Sequence, residues 1–280
     1  MRTIVLPPRL TSDQMTRLAA AADAVATDAK AERLDARAVR KWGPLSMVEL
    51  GLAIAQRRRL GHPTLTFLPP TDEVAAHFSD EAGLARLLAG EESTRRAADT
   101  LELRQMTTHD RLYTERIADV LVERVEGYDE DASHLVHLCL NELLQNVFEW
   151  AASPEGAFVH ARRYRKDGNV RIAVADAGMG IPGALREKLQ RESDLEIVEA
   201  AVTRAGLTSS PRASRGLGLK LIRDIVTSRQ GRLTVASHTA LVSFGPGDLV
   251  RPRRCGFVRG TAVEIDFRPH LPARPQEAIL

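Results

Sequence analysis

The 280-residue sequence predicts an α/β protein in two unequal parts. Three observations carry this. Short apolar runs alternate with helical patterns over residues 1–90, the mark of a layered α/β unit. Residues 90–108 (GEESTRRAADTLELRQMTT) are polar and weakly patterned, and they mark a boundary. From residue 110 the order becomes two helices, two strands, further helices and two final strands. A chain of this length holds about two domains, each long enough for its own core.

Taken in order, TIVL (3–6) reads as a strand closed by Pro7-Pro8. Residues 11–28 open on a Thr/Ser/Asp cluster suited to capping and continue as an alanine-rich helix. AERLDA (31–36) reads as a short strand. Leu45, Val48, Leu52, Ala55 and Arg59 recur at helical spacing up to Gly61. TLTFL (64–68) is a strand stopped by Pro69-Pro70, and short helices fill 72–78 and 80–89. After a linker over 91–109, an amphipathic helix covers 110–127 and a richly apolar one covers 131–151. VHARRY and VRIAVAD are strands joined through Lys166-Asp167-Gly168-Asn169, which is hairpin-turn chemistry. Helices fit 183–192, 194–205 and 217–229, and RLTVAS (232–237) and TAVEIDF (261–267) are strands. The segment GPGDLVRPRRCGFVRG (245–260) reads as a long loop whose Arg251, Arg253, Arg254 and Arg259 are either solvated or face a local anionic partner, and the tail over 271–280 reads as loose.

Composition narrows the function classes. Hydrophobic residues at 44% and charged residues at 27% exclude collagen-like, low-complexity and disordered chains. Aromatics are only 4%, so aliphatic side chains fill the cores. A net charge of +2 is not the field of a general nucleic-acid binder, so nucleic acid is disfavoured as a partner. Lys30, Lys41, Lys166, Lys188 and Lys220 are the only lysines among 39 basic residues, and this arginine bias fits a high-GC bacterial genome. Cys139 and Cys255 make no disulfide framework, and no apolar run has signal-peptide or membrane-span form. A cytoplasmic protein with no membrane contact is expected.

Three segments carry the chemistry. In NELLQNVFEWA (141–151), Glu142 and Asn146 are four apart and share one helix face. In VADAGMGIP (174–182), Asp176 ends a buried strand, and Gly178 and Gly180 let backbone approach a ligand. In SRGLGLKLI (214–222), Gly216 and Gly218 precede a helix whose free N–H groups favour phosphate. Their order and spacing, with Gly260-Thr261 on the last strand, are more specific than any one of them.

In that order the segments resemble the GHKL ATP-binding family: gyrase B, the heat-shock chaperone, sensor histidine kinases and MutL. The resemblance spans about residues 110–268 and places the ATP-binding domain at 110–270. It implies a Bergerat α/β sandwich, a mixed sheet with helices on one face, and ATP held beneath a mobile lid. By this resemblance Asn146 coordinates Mg²⁺, Glu142 is the general base, and Asp176 accepts from the adenine amino group. Gly178 and Gly180 pass under the adenine, and Gly216, Leu217 and Gly218 wrap the phosphates. Thr261 lies near the adenine. Residues 207–215 would be the lid, with Arg212 and Arg215 in reach of the γ-phosphate or merely solvated. Ser214 stands where the fuller glycine pattern begins, and Trp150 where many stand-alone members have His.

Residues 1–90 resemble a STAS domain, on RLDA, WGPLSMVELGLAIA and GHPTLTFLPP. At the position where STAS regulators take a phosphate stands Gly43-Pro44-Leu45-Ser46, and Ser46 reads as a helix cap. Together these readings give a bacterial regulator that binds Mg²⁺-ATP and acts as an ATPase or conformational switch on a protein partner, a STAS domain or another regulator. The alternative is a serine/threonine kinase, like the anti-sigma kinases, acting on a STAS partner. Glu142 suits both. A sensor histidine kinase is disfavoured, because His109, His134 and His137 lack the context of a phosphoacceptor hairpin. A homodimer stays open.

Overall fold

A computed structural model describes residues 2–91, 100–122, 130–164, 166–191, 193–204, 218–247 and 249–271. The first part runs β1 (Arg2–Val5), β2 (Arg9–Leu10), a 3₁₀ turn (Ser12–Gln14), α1 (Met15–Thr27), β3 (Ala31–Asp35), β4 (Lys41–Trp42), α2 (Pro44–Arg59), β5 (Thr66–Leu68), α3 (Glu73–Glu81) and α4 (Leu84–Ala89). Strands β1, β3 and β5 form a small parallel sheet in that order, and β2 pairs with β4 in parallel.

The start of α2 is fixed locally. Pro44 occupies the first turn, where its missing N–H costs nothing. Gly43 N–H donates to Ser46 Oγ (3.2 Å), and that hydroxyl donates to the Gly43 carbonyl (2.6 Å). Ser46 is thus a fully buried helix cap. Arg57, Arg58 and Arg59 close the helix, where positive charge opposes the dipole.

The second part runs β6 (Thr100–Met106), α5 (Arg111–Val122), α6 (Glu130–Asn146) continued by a π-helical turn (Val147–Ala151), β7 (Ala157–Tyr164), β8 (Asn169–Asp176), α7 (Gly180–Leu189), α8 (Asp194–Thr203), α9 (Gly218–Ser228), β9 (Arg232–Phe244) and β10 (Val250–Phe267). The five strands form one sheet in the order β6-β7-β8-β10-β9.

Four expectations need correction. The sheet is not mixed: each described pairing in it is antiparallel. Its helices do not lie on one face only. Alternate residues of β8 point to opposite sides, Ile172 and Val174 towards α5, α6 and α9, Ala173 and Ala175 towards α1 and α2. Residues 100–106, read as linker, are instead edge strand β6. Thr100 and Glu102 face inward, Glu102 pairing with Arg86, and this hides the apolar alternation that marks a strand. The presumed loop over 245–260 is mostly β10, which pairs with β9 from Val250↔Phe244 onward. Pro252 and exposed Arg251, Arg253 and Arg254 mask that strand in the sequence.

The core of residues 1–90 is continuous with one face of the large sheet. Leu34, Leu45, Met47 and Leu50 share one apolar cluster with Phe158, Ala173, Ala175 and Ala262 of the large sheet. Helix α2 is buried on nearly all sides, between the small sheet and the large one. Leu45, Met47 and Leu50 are fully buried, each contributing about 1.5–3 kcal/mol. Gly51 permits this closeness: a Cβ there would stand 2.7 Å from Phe158 Cδ1. Polar contacts register the two parts. Glu264 Oε2, from β10, accepts the Leu45 N–H at the start of α2 (3.1 Å). Arg59 pairs with Glu155 (2.6 Å) and Arg162 with Glu81 (3.0 Å).

Candidate functional site

Helix α6 carries Glu142 and Asn146 one turn apart because Leu140, Leu143 and Leu144 hold its other face in the core. Glu142 is half-buried, and burial, then the nearby Glu149 charge, raises its pKa above the ordinary carboxylate range. Asn146 ends the α-helix, and its amide Nδ2 is buried with no hydrogen-bond partner among the described residues. Helix α9 begins at Gly218 directly against this pair. A Cβ on Gly218 would stand 2.6 Å from Glu142 Oε2 and 3.8 Å from Asn146 Nδ2. The glycine thus brings the first turn of α9 up to the carboxylate and the amide, and the dipole of a helix start favours negative charge.

The second cluster forms at the end of β8. Asp176 is opposite Thr261 on β10. Its Oδ1 accepts the Gly178 N–H (2.7 Å), and the Thr261 N–H also donates to the carboxylate. Burial outweighs both bonds and pushes its pKa up to about 7. Neighbouring backbone crowds in: a Cβ on Gly260 would lie 2.2 Å from the Asp176 carbonyl. Gly180, at φ +70, opens α7 in a conformation that favours glycine.

Backbone contacts join the two clusters. The Ala151 carbonyl, at the end of the π-helical turn, accepts the Met179 N–H (2.9 Å). A Cβ on Gly178 would lie 1.8 Å from that same oxygen. Gly178 is therefore required for the turn after β8 to dock on the end of α6. Glu142, Asn146 and Gly218 come together on one side, and Asp176, Gly178, Gly180 and Thr261 on the other. Arg212, Arg215, Gly216 and Leu217 lie outside the described residues.

Sequence reading missed three contributors. Ser237 Oγ donates to the Gly260 carbonyl (2.7 Å) and accepts the Ile181 N–H (3.0 Å), tying α7 to both long strands. His238 contacts the Met179 carbonyl through Nε2 (3.0 Å). Glu49, on α2, is buried, with Oε1 unpartnered among the described residues. Burial, then the charge of Asp176, raises its pKa to about 8. A lone Glu within LSMVELGLAIA was the available signal for Glu49. Ser237 and His238 follow an apolar strand and carry no motif.

Residues 130–270, just over half of the chain, match the family described as histidine kinase-, DNA gyrase B- and HSP90-like ATPase. The chain belongs to this family, whose domains bind ATP, generally with Mg²⁺, in ATPase or kinase roles. No curated protein matches the chain. Among the described residues no helix is long and apolar enough to cross a membrane.

The residues fit a metal-bridged nucleotide. Asn146 places its amide, whose oxygen is the kind of hard donor Mg²⁺ takes, beside the first residue of α9. No group of three or more His, Cys, Asp or Glu among the described residues could hold a metal by itself. Mg²⁺ takes one or two protein ligands and completes its octahedron with phosphate oxygens and water.

Proposed function

We propose that this protein binds Mg²⁺-ATP between α6, the turn after β8 and the start of α9, and uses it as a switch acting on a protein partner. The observation that carries this reading is Gly218 against Glu142 and Asn146. Two sequence-distant segments meet there, and the turn after β8 docks on the end of the same helix through Gly178 and Ala151. Asn146 would hold Mg²⁺, and the metal when bound would neutralise phosphate charge. Glu142, its proton affinity raised, would take a proton from water or a hydroxyl. Asp176 would accept from the adenine amino group, with Gly178 and Gly180 beneath the ring and Thr261 beside it. Arg215, Gly216 and Leu217 would close on the phosphates.

A switch is favoured over a kinase by the packing of residues 1–90. This part, read as STAS-like, shares a core with the ATP-binding sheet, so it is placed to sense or transmit a change there. Ser46 is buried as a cap and so is unavailable as a phosphate acceptor in the folded chain. The partner would be a STAS domain or another regulator in the bacterial cytoplasm.

The test is thermal unfolding with ATP, with and without Mg²⁺, on the wild type and Asn146→Ala. A ligand at 100 times its Kd stabilises by about 2.7 kcal/mol. The wild type is expected to shift upward with ATP, and Asn146→Ala to lose the Mg²⁺-dependent part. A wild type that ignores ATP sinks the reading. Incubation with γ-labelled ATP and STAS partners then separates the roles: transfer abolished in Glu142→Ala marks a kinase, and free phosphate alone marks an ATPase.

A further inference from the structure

Beyond the family motifs, the turn that would lie under the adenine is held from behind by a histidine. His238 sits between the two halves of β9, in the left-handed region at φ 52. Its Nε2 lies 3.0 Å from the Met179 carbonyl, between Gly178 and Gly180. A carbonyl only accepts, so Nε2 carries the proton and donates. The ring also stands directly behind Gly180, whose absent Cβ would lie 2.7 Å from Nε2. On its other side the ring stacks on Phe257 at 5.2 Å and 29°. Phe257 is 60% exposed. With Ala19 and Ala22 of α1 and Glu49 and Ala53 of α2, it lines a cavity of about 30 Å³. Gly256 beside it approaches the Thr16 carbonyl of α1.

The geometry points to His238 as a positioning residue for the nucleotide. Its N–H fixes the Met179 peptide, and with it the backbone joining Asp176 to α7, while Phe257 holds the ring at its angle. The inference rests on the nucleotide reading above. A bond to the loop's own backbone, rather than to ligand, acts by holding the adenine acceptor in place. Its loss therefore weakens recognition of the base more than contact with the phosphates. The stack also gives α1 a physical link to the base-binding turn, through Phe257 and His238 to Met179.

The experiment compares ATP and inosine triphosphate, which lacks the exocyclic amine, by calorimetric titration of the full chain with Mg²⁺. In His238→Phe, which keeps a ring and loses the donor, ATP affinity is expected to fall about fivefold or more. The preference for ATP over inosine triphosphate should shrink with it. His238→Gln retains an N–H donor and should recover most of both. A wild type that binds neither nucleotide defeats the nucleotide reading itself. A wild type that binds ATP, with His238→Phe unchanged in affinity and base preference, overturns the role of His238. So does a His238→Phe protein that merely melts lower with base preference intact. Should His238→Phe fail to fold, Phe257→Ala decides: reduced base preference supports the positioning role, and unchanged preference overturns it.

Discussion

Two buried carboxylates decide much of the chemistry at the scale of single residues. Asp176 rises to about 7 and Glu49 to about 8, each mainly through burial, and Glu49 also through the charge of Asp176. Both folded values exceed the unfolded ones of 3.8 and 4.5. The folded state therefore holds protons that the unfolded state releases, and their stabilising effect is lost as pH rises through 7 and 8. Glu49→Gln, which keeps shape and removes the charge, should match the wild type at pH 5. By pH 9 it should melt higher, with a gain of up to a few kcal/mol. Equal pH profiles for the two proteins would count against a buried acid at this position. Asp176→Asn likewise removes a buried charge, so it should melt no lower than the wild type at pH 8. Its ATP affinity should nonetheless fall about tenfold or more, because an amide presents a donor where adenine needs an acceptor. The legible part of the site consisted of residues inside motifs. Asp176 stood out because a charge ends an apolar strand. His238 did not, because its role comes from an irregularity in the β9–β10 pairing that sequence spacing does not encode.

Among elements, closeness of backbone is the recurring device. Helix α2 meets the large sheet through Gly51, and the turn after β8 meets the end of α6 through Gly178. Gly51→Ala places a methyl against Phe158 and Leu103 and should cost about 1–3 kcal/mol in urea unfolding, with ATP binding retained. A cost near zero would mean that α2 shifts freely, contrary to its burial on nearly all sides. Strong periodicity made α6, β7, β8 and α9 readable. Strand β6 and the first half of β10 were not, since paired charges stand inward on one and arginines line both faces of the other. The π-helical turn after Asn146 was also invisible. Its five residues read as plain helix, and only the contact of Ala151 with Met179 gives the extra residue a purpose.

For the molecule as a whole, the division into two domains gives way to a stack of small sheet, helices, large sheet, helices. A shared core should unfold as a unit, so calorimetry is expected to show one cooperative transition. Two separate transitions would contradict the shared core. A chain shortened to residues 100–280 would bare Phe158, Ala173, Ala175, Leu241 and Ala262. It is expected to aggregate or to lose cooperative melting, although it keeps all three nucleotide motifs. Sequence reading treated each part as self-sufficient because length permits it, and only the facing alanines of β8 and β10 show that a helix lies against them.

Burial of α2 against β10 also sets a timetable for synthesis. The first 90 residues emerge long before Val258 and Ala262, which complete their apolar cluster. At about 5–20 residues per second that wait lasts roughly 10–30 s. Throughout it the segment over residues 1–90 shows an apolar helix with nothing to cover it, so emergence of β10, rather than of the first part, is when the native core can close.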